Sequence, residues 1–148
     1  MHKLLSSVLL SFTLAVSYSA WAHEGEDHSH DEEAAAESTA ALESGKGWKV
    51  VRNVEIGTSG KFIHLVLVDH SVYTDKTVYS SAIYRLCRAD AEFCRIRFWS
   101  EERFVPEKAS LTIEQNKQLR AEYLVNKPAG TKQLRWSCTV DTDRTHCF

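Results

Sequence analysis

The chain has 148 residues, of which 26% are charged, and its formal net charge is −2. This length is typical of one small domain with an additional segment. A chain without a positive net charge has no overall electrostatic attraction for nucleic acid, so nucleic acid is not expected among its partners.

The first 22 residues have the pattern of a cleavable signal peptide. Lys3 gives a basic start, an apolar run covers residues 4–16, and the small residues Ala20 and Ala22 form an A-x-A cleavage site. The run is shorter than the roughly 20 residues of a membrane-spanning helix, and no second run of that length follows. We therefore predict a periplasmic or secreted protein without a membrane span, with His23 as its first mature residue.

Residues 23–47 are predicted to be a disordered acidic tail and linker. Residues 23–43 contain eight acidic residues and no Lys or Arg, and residues 32–44 contain almost no large apolar side chain to bury. Residues 44–148, in contrast, contain 17 basic and 12 acidic residues. The glycines near residue 47 mark the boundary, and the globular domain is predicted to cover residues 48–148.

Apolar periodicity predicts two strands and a helix in the first half of the domain. Residues 48–56 alternate and residues 62–68 are apolar on both faces, so the two segments are expected to form a β-hairpin around a turn at residues 57–60. Residues 75–86 show helical spacing, with Asp75 as the N-cap. The strand face is predicted to consist of Trp48, Val50, Val54 and Ile56, and the helix stripe of Val78, Tyr79, Ala82, Ile83 and Leu86.

The second half is predicted to contain a strand, a helix and a strand. Residues 94–99 alternate, Thr112 and Gln115 fit a capping box that starts a helix of about three turns ending near residue 126, and residues 134–140 alternate again. The result is an α+β domain with a small antiparallel or mixed sheet and two helices on one face.

The four cysteines predict disulfide bonds, because an even number of cysteines in a small exported domain is usually paired. Three pairings are possible. Proximity in the sequence favours Cys87–Cys94 and Cys138–Cys147. No C-x-x-C motif is present, so a thioredoxin-like redox role has no support. A zinc site of four thiolates is the other possibility, but disulfide formation in an oxidising compartment would compete with zinc for the same cysteines.

A set of residues spread over positions 75–138 resembles small exported bacterial proteins of unassigned function. The residues that carry this resemblance are Leu86, Cys87, Cys94, Phe98, Trp99, Ala121, Tyr123, Asn126, Gly130, Leu134, Trp136 and Cys138. Most of them are structural residue types, so the resemblance implies domain limits and no particular chemistry.

The predicted mature N-terminus has donors for a transition metal. Cleavage after Ala22 would leave His23 with a free amine that can chelate together with its own imidazole, and His28 and His30 add two imidazoles. The segment resembles the acidic, His-rich tails of exported zinc- and copper-handling proteins, and the position of His23 resembles the N-terminal His of exported copper-binding proteins. We therefore predict that this tail binds or buffers Zn or Cu; the alternative is a polar leader with incidental histidines.

Arg95, Arg97 and Arg135 are expected on one sheet face, where they could bind an anionic group, including the acidic tail itself. The alternative is a solvated face without a ligand. His64 and His70 are weaker candidates for functional residues. If the protein were a small hydrolase or transferase, these histidines or the tryptophans would lie together in one pocket.

No enzyme signature is present, so the sequence predicts a non-enzymatic exported binding module. This module could bind a metal through its tail. The alternative is an envelope accessory, interaction or inhibitor protein with no metal role. In either case the domain is expected to dock an envelope partner.

Overall fold

The computed structural model describes residues 42–148. The predicted signal peptide and the predicted metal ligands His23, His28 and His30 lie outside the described residues. The elements are β1 (Ser44–Gly45), β2 (Trp48–Glu55), β3 (Phe62–Val68), α1 (Lys76–Leu86), β4 (Phe93–Trp99), α2 (Ile113–Lys117), β5 (Ala121–Asn126) and β6 (Thr131–Trp136), with single 3-10 turns at His70–Val72, Glu102–Phe104 and Lys127–Ala129.

The strands form one six-stranded mixed sheet in the order β1-β2-β3-β4-β5-β6. Every neighbouring pair is antiparallel except β3 and β4, which are parallel. A parallel pair needs a long crossover connection, and α1 lies in that connection. The predicted α+β class with a mixed sheet and two helices is therefore confirmed.

The predicted β2–β3 hairpin and the predicted helix α1 are both present. β3 lies between β2 and β4, which explains why it is apolar on both faces. The side chain of Asp75 accepts a hydrogen bond from the backbone N–H of Thr77 at 2.9 Å, as an N-cap does. Val78, Tyr79 and Ala82 are buried against the sheet face that we call the helix face, together with Trp48, Val50, Val66, Ile96 and Phe98.

The predicted common face of β2 is wrong beyond Val50. The register to β3 shifts between Val50 and Arg52, so one extra residue is accommodated by a β-bulge. Because side chains alternate along a strand, this insertion moves Val54 to the opposite face, where it packs near Ile63.

The second predicted helix is much shorter than expected. Thr112 and Gln115 do form the capping box, but α2 ends at Lys117. The residues beyond it form β5, which is paired on both sides, with β4 and with β6. Leu119 and Tyr123, both within the predicted helix, pack into the two different cores on opposite faces of the sheet.

The two helices do not share a face of the sheet, which corrects the predicted arrangement. The segment 102–119, which contains α2, covers the face opposite α1, and we call this the loop face. Its core consists of Ile63, Leu65, Trp99, Val105 and Leu119. The indole N–H of Trp99 donates to the carbonyl of Gln115 at 2.9 Å and ties α2 to the sheet.

The edges of the domain also differ from the prediction. Ser44 and Gly45, assigned to the linker from sequence, pair with β2 as β1. The last strand covers Thr131–Trp136 and not residues 134–140, because Ser137–Val140 form a turn. Within residues 42–148, neither helix has the length and apolar character needed to cross a bilayer.

Both disulfide bonds favoured by sequence proximity are formed. Cys87, directly after α1, is bonded to Cys94 on β4, and Cys138 is bonded to Cys147. The first bond fixes the end of α1 to the sheet, and the second brings Cys147 beside Trp136 on β6. Cys147 is therefore not available as a nucleophile.

Candidate functional site

The three arginines predicted on one face do lie together, and they surround the carboxylate of Glu122. Arg97 on β4 and Arg135 on β6 are the register partners of Glu122 on β5, so the three residues form one row across the sheet. Glu122 Oε1 accepts from Arg95 Nη2 at 2.6 Å and from Arg97 Nε at 2.9 Å, and Oε2 accepts from Arg135 Nη2 at 2.7 Å.

Glu122 and Arg97 of this arginine–glutamate cluster are buried, so the face is not the fully solvated one that the sequence left open as the alternative to anion binding. The side chains of Glu122 and Arg97 are 7% and 10% exposed, whereas that of Arg135 is 51% exposed. Burial alone would raise the pKa of Glu122, but the hydrogen bonds from Arg97, Arg135 and Arg95 outweigh it and lower the pKa to about 2. Glu122 is therefore ionised at neutral pH.

Each arginine of the cluster thus has Glu122 as an internal partner, and the side chain of Arg135 is half exposed as well. Arg97 also donates through Nη1 to the carbonyl of Ala109 at 2.7 Å, which joins the cluster to the segment covering the loop face. A buried carboxylate that receives three guanidinium groups is primarily a structural centre. Sequence reasoning missed Glu122 because it placed residue 122 in a helix. The alternation of Ala121, Tyr123 and Val125 with Glu122 was the signal that indicated a strand.

A cavity of about 390 Å³ lies on the helix face beside the Cys87–Cys94 disulfide. It is formed where the end of α1, the start of β4 and the β5–β6 turn meet. The turn is closed by Gly130, whose φ of 63° is in the left-handed region that favours glycine. The lining residues are Cys87, Arg88, Ala89, Ala91, Cys94, Tyr123, Val125, Lys127, Gly130, Thr131 and Lys132.

The cavity has apolar walls and a cationic rim. The disulfide, Tyr123 and Val125 supply the apolar surface, since Tyr123 and Val125 also pack against the helix-face core. The rim carries Arg88, Lys127 and Lys132. This combination is what a site for an anionic ligand with an apolar part requires.

Two of the three rim cations have acidic neighbours. Arg88 pairs with the carboxylate of Asp90 at 3.2 Å, and Lys127 lies 3.6 Å from that of Glu92. The ion pairs found among residues 42–148 do not include Lys132, which is exposed on β6. Lys132 is thus the rim cation with the most freedom to contact a ligand.

His64 and His70 lie toward opposite ends of β3. His64, near the start of β3, shares a hydrogen bond with Asn53 Oδ1 at 2.7 Å, and burial lowers its pKa while the charge of Glu43 partly offsets this. His70 follows the other end of β3 and stacks near Tyr73. The pocket that the hydrolase hypothesis requires is therefore not built from His64 and His70.

The tryptophans do not gather in one pocket either. Trp48 and Trp136 pack with the core of the helix face, and Trp99 is buried in that of the loop face. Among residues 42–148, no three His, Cys, Asp or Glu side chains are grouped closely enough to hold a metal ion. The predicted ligands His23, His28 and His30 lie outside this range, so that hypothesis stays a prediction.

The chain matches no family model, no curated protein and no solved structure.

Proposed function

We propose that the protein is an exported binding module, and that its folded domain binds an anionic ligand with an apolar part in the cavity beside Cys87–Cys94. The observation that carries this proposal is the combination, in one cavity, of apolar walls and a rim with three cations. Apolar burial contributes about 25 cal/mol per Å² of surface removed from water. The cations select the charge and orient the ligand.

The extracytoplasmic location rests on two observations. Both disulfides join residues of a small domain, and such bonds persist in the oxidising conditions of the periplasm or the extracellular space. The first 22 residues have the charge and apolar pattern of a cleaved leader. The ligand is accordingly expected among the solutes or protein partners of the cell envelope.

The cavity proposal is tested by calorimetric titration with octanoate, which has an apolar chain and one carboxylate, and with octanol as the uncharged comparison. Octanoate is expected to bind more tightly than octanol. Lys132→Glu is expected to weaken octanoate binding about tenfold or more, because a cation at the rim becomes an anion.

The matched control is Lys46→Glu, which makes the same change of charge at an exposed residue in the β1–β2 turn, at the other edge of the sheet. It is expected to leave octanoate binding unchanged. Equal weakening by both substitutions would mean that only the net charge matters, and the absence of any octanoate binding would refute the cavity as a site.

A second function, transition-metal binding by the tail, is favoured by the predicted free amine of His23 together with His28 and His30. Titration of the mature protein with Zn²⁺ and Cu²⁺ is expected to show binding that the double substitution His28→Ala, His30→Ala removes. If the double variant binds metal as well as the parent does, the tail is not the site.

Deleting residues 23–41 distinguishes metal binding by the tail from the alternative of an envelope accessory or inhibitor protein without a metal role. This deletion leaves β1 and its pairing with β2 intact. Partner capture from envelope extract that is unaffected by the deletion and by chelators would favour that alternative over a metal-dependent tail.

A further inference from the structure

One edge of the sheet has backbone groups available for another strand. β6 pairs with β5 on one side only. On its other side, at the Trp136 end, the backbone N–H of Phe148 donates to the carbonyl of Trp136 at 2.9 Å, and Cys138 N–H donates to the carbonyl of Phe148 at 3.2 Å. The chain itself thus already adds two residues to this edge, held there by the Cys138–Cys147 disulfide.

The outward carbonyl of Trp136 shows which residues of β6 face the open edge. In an antiparallel ladder the N–H and C=O of one residue point to the same side, and alternate residues point to the same side. Lys132 and Leu134 therefore direct their N–H and C=O groups away from β5. Within residues 42–148, these four groups have no backbone partner beyond the sheet. They can form a ladder with an extended segment.

The charge on β6 indicates what kind of segment fits. The strand carries Lys132 and Arg135 and has no acidic residue. Lys132 is the register partner of Val125, so its side chain lies on the helix face and reaches the rim of the cavity. Arg135 lies on the loop face, where its guanidinium is bonded to Glu122 and its side chain as a whole is 51% exposed. A segment added here would meet a cation on each face.

We infer that the open edge of β6 binds an acidic polypeptide segment in extended conformation, which adds to the sheet as a further strand and directs one side chain into the cavity beside Cys87–Cys94. This inference rests on the proposed function and names the ligand class of that site. Main-chain hydrogen bonds supply affinity in such strand addition, and the pockets for alternate side chains supply specificity. Acidic residues at alternate positions would meet Lys132 on one face or Arg135 on the other.

A second copy of the same edge is a poorer occupant. Two β6 strands side by side would bring the cations of one copy near those of the other, and basic side chains on edge strands are a common means of preventing such pairing. An acidic strand converts the same cations into favourable contacts. The charge of β6 thus distinguishes between a partner segment and self-association.

The test uses the full mature protein and three labelled eight-residue peptides, followed by fluorescence anisotropy. The first alternates Glu and Val, the second has the same sequence with N-methyl groups on alternate backbone nitrogens, and the third alternates Lys and Val. The Glu–Val peptide is expected to bind. N-methylation of the edge-facing nitrogens is expected to weaken binding about tenfold, as the loss of two hydrogen bonds predicts, and the Lys–Val peptide is expected not to bind.

Two substitutions and one further readout locate the contact. Leu134→Pro removes an outward N–H without removing a bond to β5, and proline is accepted on edge strands. This substitution is expected to weaken binding of the Glu–Val peptide. Leu134→Ala keeps the N–H and is expected to retain most of the affinity. Hydrogen exchange followed by NMR is expected to show slower exchange of the Lys132 and Leu134 amides when the Glu–Val peptide is bound. This readout does not depend on any variant folding.

The outcomes separate this inference from the cavity proposal. Equal binding of the N-methylated and unmodified peptides, or no protection of the Lys132 and Leu134 amides, would overturn strand addition while leaving the cavity as a site. Octanoate binding without peptide binding would do the same. Failure of both octanoate and the Glu–Val peptide would overturn both proposals.

Discussion

Replacing Glu122 by Gln tests whether this carboxylate organises the arginine–glutamate cluster. The substitution keeps the shape of the side chain but leaves three guanidinium groups without a negative partner. The pKa of Glu122 falls from an ordinary 4.5 to about 2 in the folded protein. Since one pKa unit corresponds to about 1.4 kcal/mol, the ionised carboxylate contributes about 3 kcal/mol to the free energy of unfolding. Loss of one partner of a buried ion pair costs a similar amount.

The sign of the pH dependence follows from the lowered pKa. The folded protein holds Glu122 ionised more strongly than the unfolded chain does, so its contribution is complete above pH 4.5 and is lost as the pH falls toward 2. Between pH 7 and pH 3 the parent is expected to lose about 2 kcal/mol from this residue alone. The Glu122→Gln variant has no carboxylate to protonate and lacks this part of the acid sensitivity.

The measurement is urea unfolding followed by tryptophan fluorescence at pH 7 and pH 3, with both disulfides intact. Glu114→Gln is the matched control, because Glu114 is an exposed residue of α2 that pairs only with Lys117. We expect Glu122→Gln to lower the free energy of unfolding by about 3 kcal/mol at pH 7 and the control to change it by less than about 0.5 kcal/mol. A change below about 1 kcal/mol at Glu122, with an unaltered dependence on pH, would refute the reasoning.

Three further substitutions test other contacts. Thr112→Ala removes the N-cap of α2 and is expected to cost about 1 kcal/mol in urea unfolding, with Ser110→Ala as the comparison. Tyr79→Phe removes the hydroxyl that donates to the Tyr73 carbonyl at 2.5 Å and is expected to cost about 1–2 kcal/mol without changing the circular dichroism spectrum. The double substitution of Cys87 and Cys94 by Ser is expected to cost about 2–3 kcal/mol, because the unfolded chain loses one crosslink; an unchanged unfolding midpoint would show that the bond does not constrain the chain.

The elements that sequence periodicity identified are those whose local pattern agrees with their place in the fold. β3 is apolar on both faces because it is a central strand, and α1 has one buried stripe because it lies on one face of the sheet. The cysteine pairs were favoured correctly because each closes a short loop, with sequence separations of 7 and 9 residues. In these cases the local preference and the tertiary contacts require the same structure.

The predictions that were wrong concern segments whose structure is determined by pairing with distant strands. Nothing in the local pattern of β2 distinguishes a regular strand from one with a bulge, since the shift between Val50 and Arg52 becomes visible only in the register to β3. The cavity beside Cys87–Cys94 depends on long-range neighbours in the same way. Its walls come from Cys94 and Tyr123, and the rim from Arg88 and Lys132, which are brought together only by the pairing of β4, β5 and β6.

The segment of α2 and β5 gives the clearest conflict between local preference and tertiary pairing, and it can be tested outside the protein. The capping box at Thr112 and the apolar spacing that follows favour a helix, yet residues 121–126 are held as a strand between β4 and β6. In a helix, Glu122 could not be the register partner of both Arg97 and Arg135. A peptide of residues 111–126 is therefore expected to become helical in trifluoroethanol, as followed by circular dichroism, because the alcohol strengthens local preference and the neighbouring strands are absent. A peptide that stays non-helical would show that residues 121–126 prefer the extended state by themselves. The pairing of Glu122 with the arginines would then be a consequence of that local preference and not its cause.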